Sequence, residues 1–491
     1  MSSTSTGRLQ QAQGAPAGAH TPRSILARLD RISVWSMPFM FIGIIGTGFL
    51  FAFYDVFDIN VSFIQSCVAL KHGCTPANAV TALRIPVVLN LAGYVIGALA
   101  LAPISDRIGR RNMLLFTMLL TGLGSLYNAL APDYSQFVIA RIITGVGVGA
   151  DLAIVNTYVG EIAPRRNRAR WISVIFIMSS LGALLGIWLG LFLTTPSAPW
   201  PHGLSFAQAS PSFSDGWRWM YGVGALLAAV GVFLRLELPE SARWLVGQGR
   251  LDEADKVVSD MEVVAAKHGP LDPVPDDIPQ DRTTPESSLA FKALFADRMY
   301  TRRVFQLLAV WFLAYVTVFG FSAGFTAMLS SLKYAPSEAG LITAVGAFGF
   351  LACALFAVAF ADKLERKFWL PIGAVITIIG GVIVAEAGTT SLGIAFLGAA
   401  IVFFGFNVWV PMTYTLSTES FPTRARVTGF GMVDGIGHLG GGIGVLVIAP
   451  QIPHMSVLGA MLVVSGFLVL AAIVAMFSPN TRGRHYEEVS P

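Results

Sequence analysis

The chain has 491 residues, of which 54% are hydrophobic and 13% charged, with a mean hydropathy of +0.65. A soluble domain carries about 25% charged residues, so the composition excludes a soluble protein and points to one that crosses a membrane many times. The formal charge of +4 does not indicate nucleic-acid binding, because the basic residues fall in short loops between apolar runs, the pattern of the positive-inside rule.

In chain order, residues 1–30 are expected to be a disordered cytoplasmic tail. Residues 1–24 are rich in Gly, Ala, Ser and Gln, with no short apolar core ahead of a cleavage site. Apolar segments follow at 35–64, 82–104, 112–131, 136–160, 170–194 and 217–237. After a polar stretch come six more, at 303–331, 338–361, 368–387, 391–417, 427–450 and 455–477. Each approaches or exceeds the length of about 20 residues that crosses a bilayer as a helix. The expected fold is an all-α membrane protein of twelve transmembrane helices in two pseudo-symmetric six-helix bundles. The bundles cover 31–237 and 301–478, with a cytoplasmic linker at 238–300 and a cytoplasmic tail at 479–491.

Lys71, Arg84, Arg141, Arg218 and Lys333 belong to the outer half. The remaining basic residues lie in the tails, the linker and the even-to-odd loops, so both termini are expected in the cytoplasm. Within the linker, 240–267 has the period of an amphipathic helix. Residues 269–288, with five prolines, read as flexible chain. The loop 195–216 faces outside. Cys353 is a packing residue, whereas Cys67 and Cys74 flank the first outer loop either as a disulfide or as free thiols.

The stretch Arg141–Arg170 is the most informative. Gly145, Gly147 and Gly149 recur at every second position, which lets other helices approach closely. Asp151 follows, a carboxylate that is expensive in hydrocarbon. Glu161, Pro164 and a basic burst close the segment. Its ending recurs: Glu161-Ile-Ala-Pro164 matches Glu419-Ser-Phe-Pro422, and Asp106–Arg111 (DRIGRR) matches Asp362–Lys367 (DKLERK). The separations are 258 and 256 residues. Two motifs in one order at nearly one offset describe parallel repeats, as in carriers whose halves rock about a central site.

These motifs resemble those of the major facilitator superfamily over almost the whole chain. Glu161–Arg170 and Pro239-Glu-Ser-Ala-Arg243 are similar to signatures of its sugar-porter-like branch. Asp151, Asn156–Tyr158 and Glu419–Arg426 are closer to the metabolite–proton symporters, which include aromatic-acid and nicotinate carriers and synaptic-vesicle-protein relatives. Sugar porters of the branch carry glutamines in helices five and seven, and 170–194 and 307–331 contain none.

The resemblance implies that helices one and four are neighbours, so that Asp55 pairs with Arg141 as the proton-coupling site, with Asp58 on the same face. The alternative is a static ion pair. Asp151 is either a substrate or proton contact or the partner of Asn156 in a helix–helix hydrogen bond. In helix ten, Asn407, Trp409 and Tyr414 are substrate candidates around Pro411. In helix eleven, Asp434 and His438 are four apart and share a face; a His titrates near neutrality, and the alternative is that the two satisfy each other. Similar symporters carry an Arg where His438 stands. The helix-seven aromatics Trp311, Tyr315, Phe319, Phe321 and Phe325 divide between cavity and lipid. The resemblance also implies a cytoplasmic gate of Asp106, Arg107, Arg110, Arg111, Glu161 and Arg170. Asp362, Arg366, Glu419 and Arg426 form its second copy, weakened by Glu365 where the first copy has Gly109. Glu240 and Arg243 tie the linker to it.

The expectation is a monomeric proton symporter in a bacterial plasma membrane. Its partners are the bilayer, a proton and a small organic substrate, with an organic or aromatic acid favoured. The alternatives are an organic cation or a sugar, passive facilitation or proton-driven export, and a non-transporting sensor. No phosphate-cradling loop, metal cluster or nucleophile–base spacing is present in the sequence, so no cofactor, metal or enzymatic activity is expected.

Overall fold

The computed structural model describes residues 21–490 except 38, 76–78, 165–166, 275–289, 323–324, 332–333, 335, 388–390, 423–424, 449–450, 452–453 and 485. The tail 1–20 and most of the proline-rich linker therefore lie outside the described residues. Twelve described helices are long and apolar enough to cross a membrane. Spans one to six are Met40–Ile59, Ala82–Ile108, Arg110–Leu130, Tyr134–Ile162, Arg168–Thr194 and Gly216–Arg235. Spans seven to twelve are Arg298–Ser322, Glu338–Phe360, Arg366–Ala387, Leu392–Glu419, Arg426–Ile448 and Val457–Ala475. Only helices or closed barrels satisfy the backbone inside a bilayer, and no strand forms among the described residues.

The halves repeat in packing as well as in sequence. Span one packs on five and six, two on four, and three on four and six; seven packs on eleven and twelve, eight on ten, and nine on ten and twelve. The halves meet where two packs on eleven and where five packs on eight. Six described spans in each half put Pro22–Asp30, the linker helices and Tyr486–Val489 on one side, here called the linker face. The other side carries a disulfide between Cys67 and Cys74 and is called the disulfide face.

Span four is wedged between two helices because of its glycines. A Cβ at Gly145 or Gly149 would lie 2.1 Å from the carbonyl oxygens of Asn90 or Tyr94 in span two. One at Gly147 would lie 2.0 Å from Thr121 Oγ1 in span three. Alternate small residues thus serve opposite neighbours. Span two contains a π-turn at Gly97–Leu101 and span eleven ends in another at Gly444–Ile448. Both helices of the two–eleven junction are therefore irregular.

Two expectations require correction. Residues 22–30 are not disordered: Pro22–Asp30 is a helix capped by Thr21, and it buries Ile25, Ala27 and Leu29. The linker helix is two helices, Ala242–Gly247 and Leu251–Ala266. Between them Gly249 takes φ +72°, a conformation that breaks the helix and suits glycine.

Candidate functional site

Buried polar clusters occupy successive levels between the two faces. Nearest the disulfide face, Arg141 Nη1 lies 3.1 Å from Asp55 Oδ1 and 3.6 Å from Asp58 Oδ1. Its Nη2 donates to the Asp55 carbonyl at 3.0 Å. Asn90 holds the arginine's own turn, donating to the Arg141 carbonyl at 2.7 Å and to Thr144 Oγ1 at 3.1 Å. Two carboxylates facing one guanidinium leave the cluster one positive charge short, and a proton is the smallest cation that supplies it. A cavity of about 20 Å³ reaches Arg141 and Asn90 between Val56 of span one and Phe319 of span seven, enough for about one water. Asp58 is fully buried and does not face an open vestibule.

At mid-depth the two halves share one carboxylate. Tyr94 of span two donates to Asp434 Oδ2 at 2.5 Å, and Tyr315 of span seven donates to Oδ1 at 2.6 Å. The His438 ring sits between the two phenol rings, with centroids 3.7 Å from Tyr94 and 3.9 Å from Tyr315. Its Nδ1 donates to the Asp434 carbonyl at 2.8 Å and lies 3.8 Å from Oδ2. Trp311 stacks 5.1 Å from both Tyr315 and Tyr414, and its Nε1 donates to Ser417 at 3.0 Å. Towards span five, Tyr414 meets Phe176 and Phe49 edge-on, and Phe176 packs on Phe350. This aromatic layer closes the centre.

On the linker face, four contacts among the described residues cross between the halves. Thr428 donates to Asp106 Oδ2 at 3.0 Å, and the Arg170 backbone N–H donates to Asp362 at 2.9 Å. Arg168 lies 3.6 Å from Glu419, and Arg426 lies 3.7 Å from Glu161. Within each half the motif braces itself: Arg110 reaches Asp106 at 3.0 Å and Glu161 at 3.2 Å, while Arg366 reaches Asp362 at 2.8 Å and Glu419 at 3.7 Å.

Gly109 is required twice in this cluster. It has φ +103°, and a Cβ there would lie 2.3 Å from Glu240 Oε2. Glu240 accepts from the Arg110 and Arg111 N–H groups at 3.0 and 3.3 Å, and burial raises its carboxyl above the usual value against the pull of those bonds. In the second copy Glu365 supplies its own carboxylate. It accepts from Thr481 and Arg482 N–H at 2.9 and 3.1 Å. Glu365 therefore binds the C-terminal segment and takes no part in the cross-half latch.

Several candidates stand elsewhere than expected. Asp151 lies inside the first bundle, bonded to Arg235 and to Thr117. Asn156 donates to the Leu152 carbonyl at 2.8 Å and does not reach Asp151. Asn407 likewise donates within its own helix, to Phe403 at 2.8 Å. Trp409 packs 5.5 Å from Trp311, behind the central cluster. Phe321 and Phe325 pack into the second bundle against Phe406 and Phe403. Arg107 is exposed. Arg111 donates to the Leu236 carbonyl at 2.7 Å. The Arg170 side chain is exposed and only its backbone acts, so Asp106 pairs with Arg110 and Thr428 instead.

Sequence reading missed Arg235, Arg168, Tyr94 and Thr428. Arg235 closes an apolar run and so passes for an ordinary flanking arginine. Tyr94 is a lone phenol in an apolar helix, a signal that was present but weak.

A family profile described as "Sugar (and other) transporter" matches residues 38–491. The niacin transporter NiaP of Acinetobacter baylyi is 24% identical over 475 residues, covering 95% of this chain and 99% of that one. A D-xylose transporter of Levilactobacillus brevis is 30% identical over 357 residues, covering 69% and 71%. The fold is similar to that of the proton:xylose symporter XylE bound to 6-bromo-6-deoxy-D-glucose. That comparison has a TM-score of 0.71 and 21% identity, and covers 92% of this chain and 98% of the other.

Proposed function

Because this chain belongs to the sugar (and other) transporter family, we propose that it moves a small organic metabolite across a bacterial plasma membrane together with a proton, by alternating access. The linker face is cytoplasmic in this reading, and the protein works as a monomer. The supporting observation is the Asp55–Asp58–Arg141 cluster, with two acids on one guanidinium beside a water-sized cavity. A proton taken up from the disulfide face neutralises one acid and loosens its hold on Arg141. Span four is then free to shift against span one. The cross-half contacts on the linker face keep that side shut until the proton and substrate are both aboard, and their release opens it.

Sugars and organic acids are equally supported as substrates by the relatives, which include xylose and niacin carriers. The test is substrate-driven proton entry into liposomes holding the pure protein and a trapped pH dye. One compound among acids, amines and sugars is expected to acidify the lumen, and Asp55→Asn is expected to abolish acidification while leaving substrate exchange intact. Substrate entry with no proton movement in the native protein overturns the coupling.

A further inference from the structure

Six carboxylates are fully buried among the described residues: Asp55, Asp58, Asp151, Glu161, Glu419 and Asp434. Five face an arginine. Asp55 and Asp58 have Arg141, Asp151 has Arg235, Glu161 has Arg110, and Glu419 has Arg168 and Arg366. Asp434 has two phenols and a histidine. A buried carboxylate without a cation is costly. Every buried arginine among the described residues already has its own acid. Among the described residues no buried arginine is left over to receive an anionic substrate at the centre.

The surroundings of Asp434 point the same way. Tyr94 and Tyr315 present ring faces to the position His438 occupies, and such faces attract cations. The slot between Tyr94 and Tyr315 is one flat ring wide, and in this closed state the imidazole of His438 fills it. Tyr94 belongs to the first half, and Asp434, Tyr315 and His438 to the second. Parting the halves therefore removes one of the two phenol donors from Asp434 and exposes its carboxylate on one side.

We propose that the mid-membrane site selects a small organic cation, an amine or quaternary ammonium on a flat apolar body. Asp434 is its counter-ion, and Tyr94 and Tyr315 are the walls of its slot. Asp434 gains its missing positive charge when the substrate arrives, and closure returns Tyr94 to the carboxylate over the bound head group. This assignment rests on the transport reading and replaces its open substrate class with a charge. It runs against the organic acid expected from family resemblance, and the reason is that each buried arginine among the described residues already faces an acid.

The test is calorimetric titration of the full-length protein in lipid nanodiscs with benzyltrimethylammonium, benzylamine, benzoate and D-xylose. Saturable binding of the two cations is expected, weakened at least tenfold in Asp434→Asn and within a few-fold of native in Asp434→Glu. Should Asp434→Asn fail to fold, Tyr94→Phe/Tyr315→Phe keeps the rings and removes both donors. It is expected to bind the cations at least as tightly as native. Preferential binding of benzoate or xylose, cation binding indifferent to Asp434, or no cation binding overturns the proposal. Benzyltrimethylammonium carries no exchangeable proton on its nitrogen. Its entry into vesicles without lumen acidification therefore removes the proton coupling and leaves the cation site standing.

Discussion

Arg235 Nη1 lies 2.5 Å from Asp151 Oδ1 and Nη2 lies 2.9 Å from Oδ2, so guanidinium and carboxylate meet fork to fork inside the first bundle. Thr117 adds a hydrogen bond of 2.7 Å to the carboxylate, and the arginine donates to the Leu114 carbonyl at 2.7 Å. The geometry is the strongest an ion pair adopts, and span one comes close enough to touch it only because residue 48 is glycine. A Cβ there would lie 1.8 Å from Arg235 Nη2.

Breaking this pair from either side leaves a buried charge alone. Asp151→Asn and Arg235→Met are each expected to cost about 3–5 kcal/mol. Asp151→Leu/Arg235→Met together are expected to recover most of that loss, because no lone charge remains. Thermal unfolding in detergent checks both. A double variant no better than the singles would mean that the pair does more than neutralise itself.

Gly149→Ala places a methyl against the Tyr94 carbonyl and pushes span two away from span four. It is expected to destabilise by about 1–3 kcal/mol and to weaken substrate binding as well, because the Tyr94 ring is moved out of its place as a wall of the slot. Gly222→Ala, with nothing within 4 Å of the added Cβ, is the matched control. It is expected to melt at or slightly above the native temperature.

In the proposed transport cycle the linker-face contacts set the balance between closed and open states. Arg168→Ala removes the 3.6 Å contact to Glu419. The contact is an ion pair too long for a hydrogen bond, and Glu419 keeps Arg366, so the closed-to-open ratio is expected to fall several-fold. Distances between spin labels at the linker-face ends of spans four and ten report it. An unchanged distance distribution would show that the remaining three cross-half contacts suffice.

The N-terminal helix is held by charge. Arg28 Nη2 and Arg31 Nη2 lie 2.7 and 2.6 Å from Glu262, and Arg28 also pairs with Asp255. Burial raises the Glu262 carboxyl, but the bonds from Arg28 and Arg31 outweigh it and hold it below its ordinary value of 4.5. A depressed carboxyl stabilises the folded state in full above its unfolded pKa and loses that contribution as pH falls through the folded one. Docking of residues 22–30 is therefore expected to be unchanged from neutrality down to pH 4.5 and to weaken below it. Hydrogen exchange of these amides, corrected for intrinsic rate, measures it, with Glu262→Gln expected to be undocked at every pH.

Twelve spans, two repeated halves and the gate motifs could all be read from the chain. Each depends on local length or spacing: about 20 apolar residues make a span whatever surrounds them, and a recurring DRIGRR-like loop marks the same turn in each half. The contact between Asp55 and Arg141 follows from matching depth, which residue count gives at about 1.5 Å each, together with the family resemblance that makes helices one and four neighbours. Direction around the helix axis is a different matter. Asp151 has the same composition of neighbours as a cavity residue, and only the packing of spans one, three, four and six turned it towards Arg235. Tyr94 and Asp434 are 340 residues apart, and nothing local in either helix indicates the other. Which buried acids already have an arginine is a property of the assembled helices alone. Helical period determines which residues share a face; the partner across that face is decided by which helix the tertiary structure brings there.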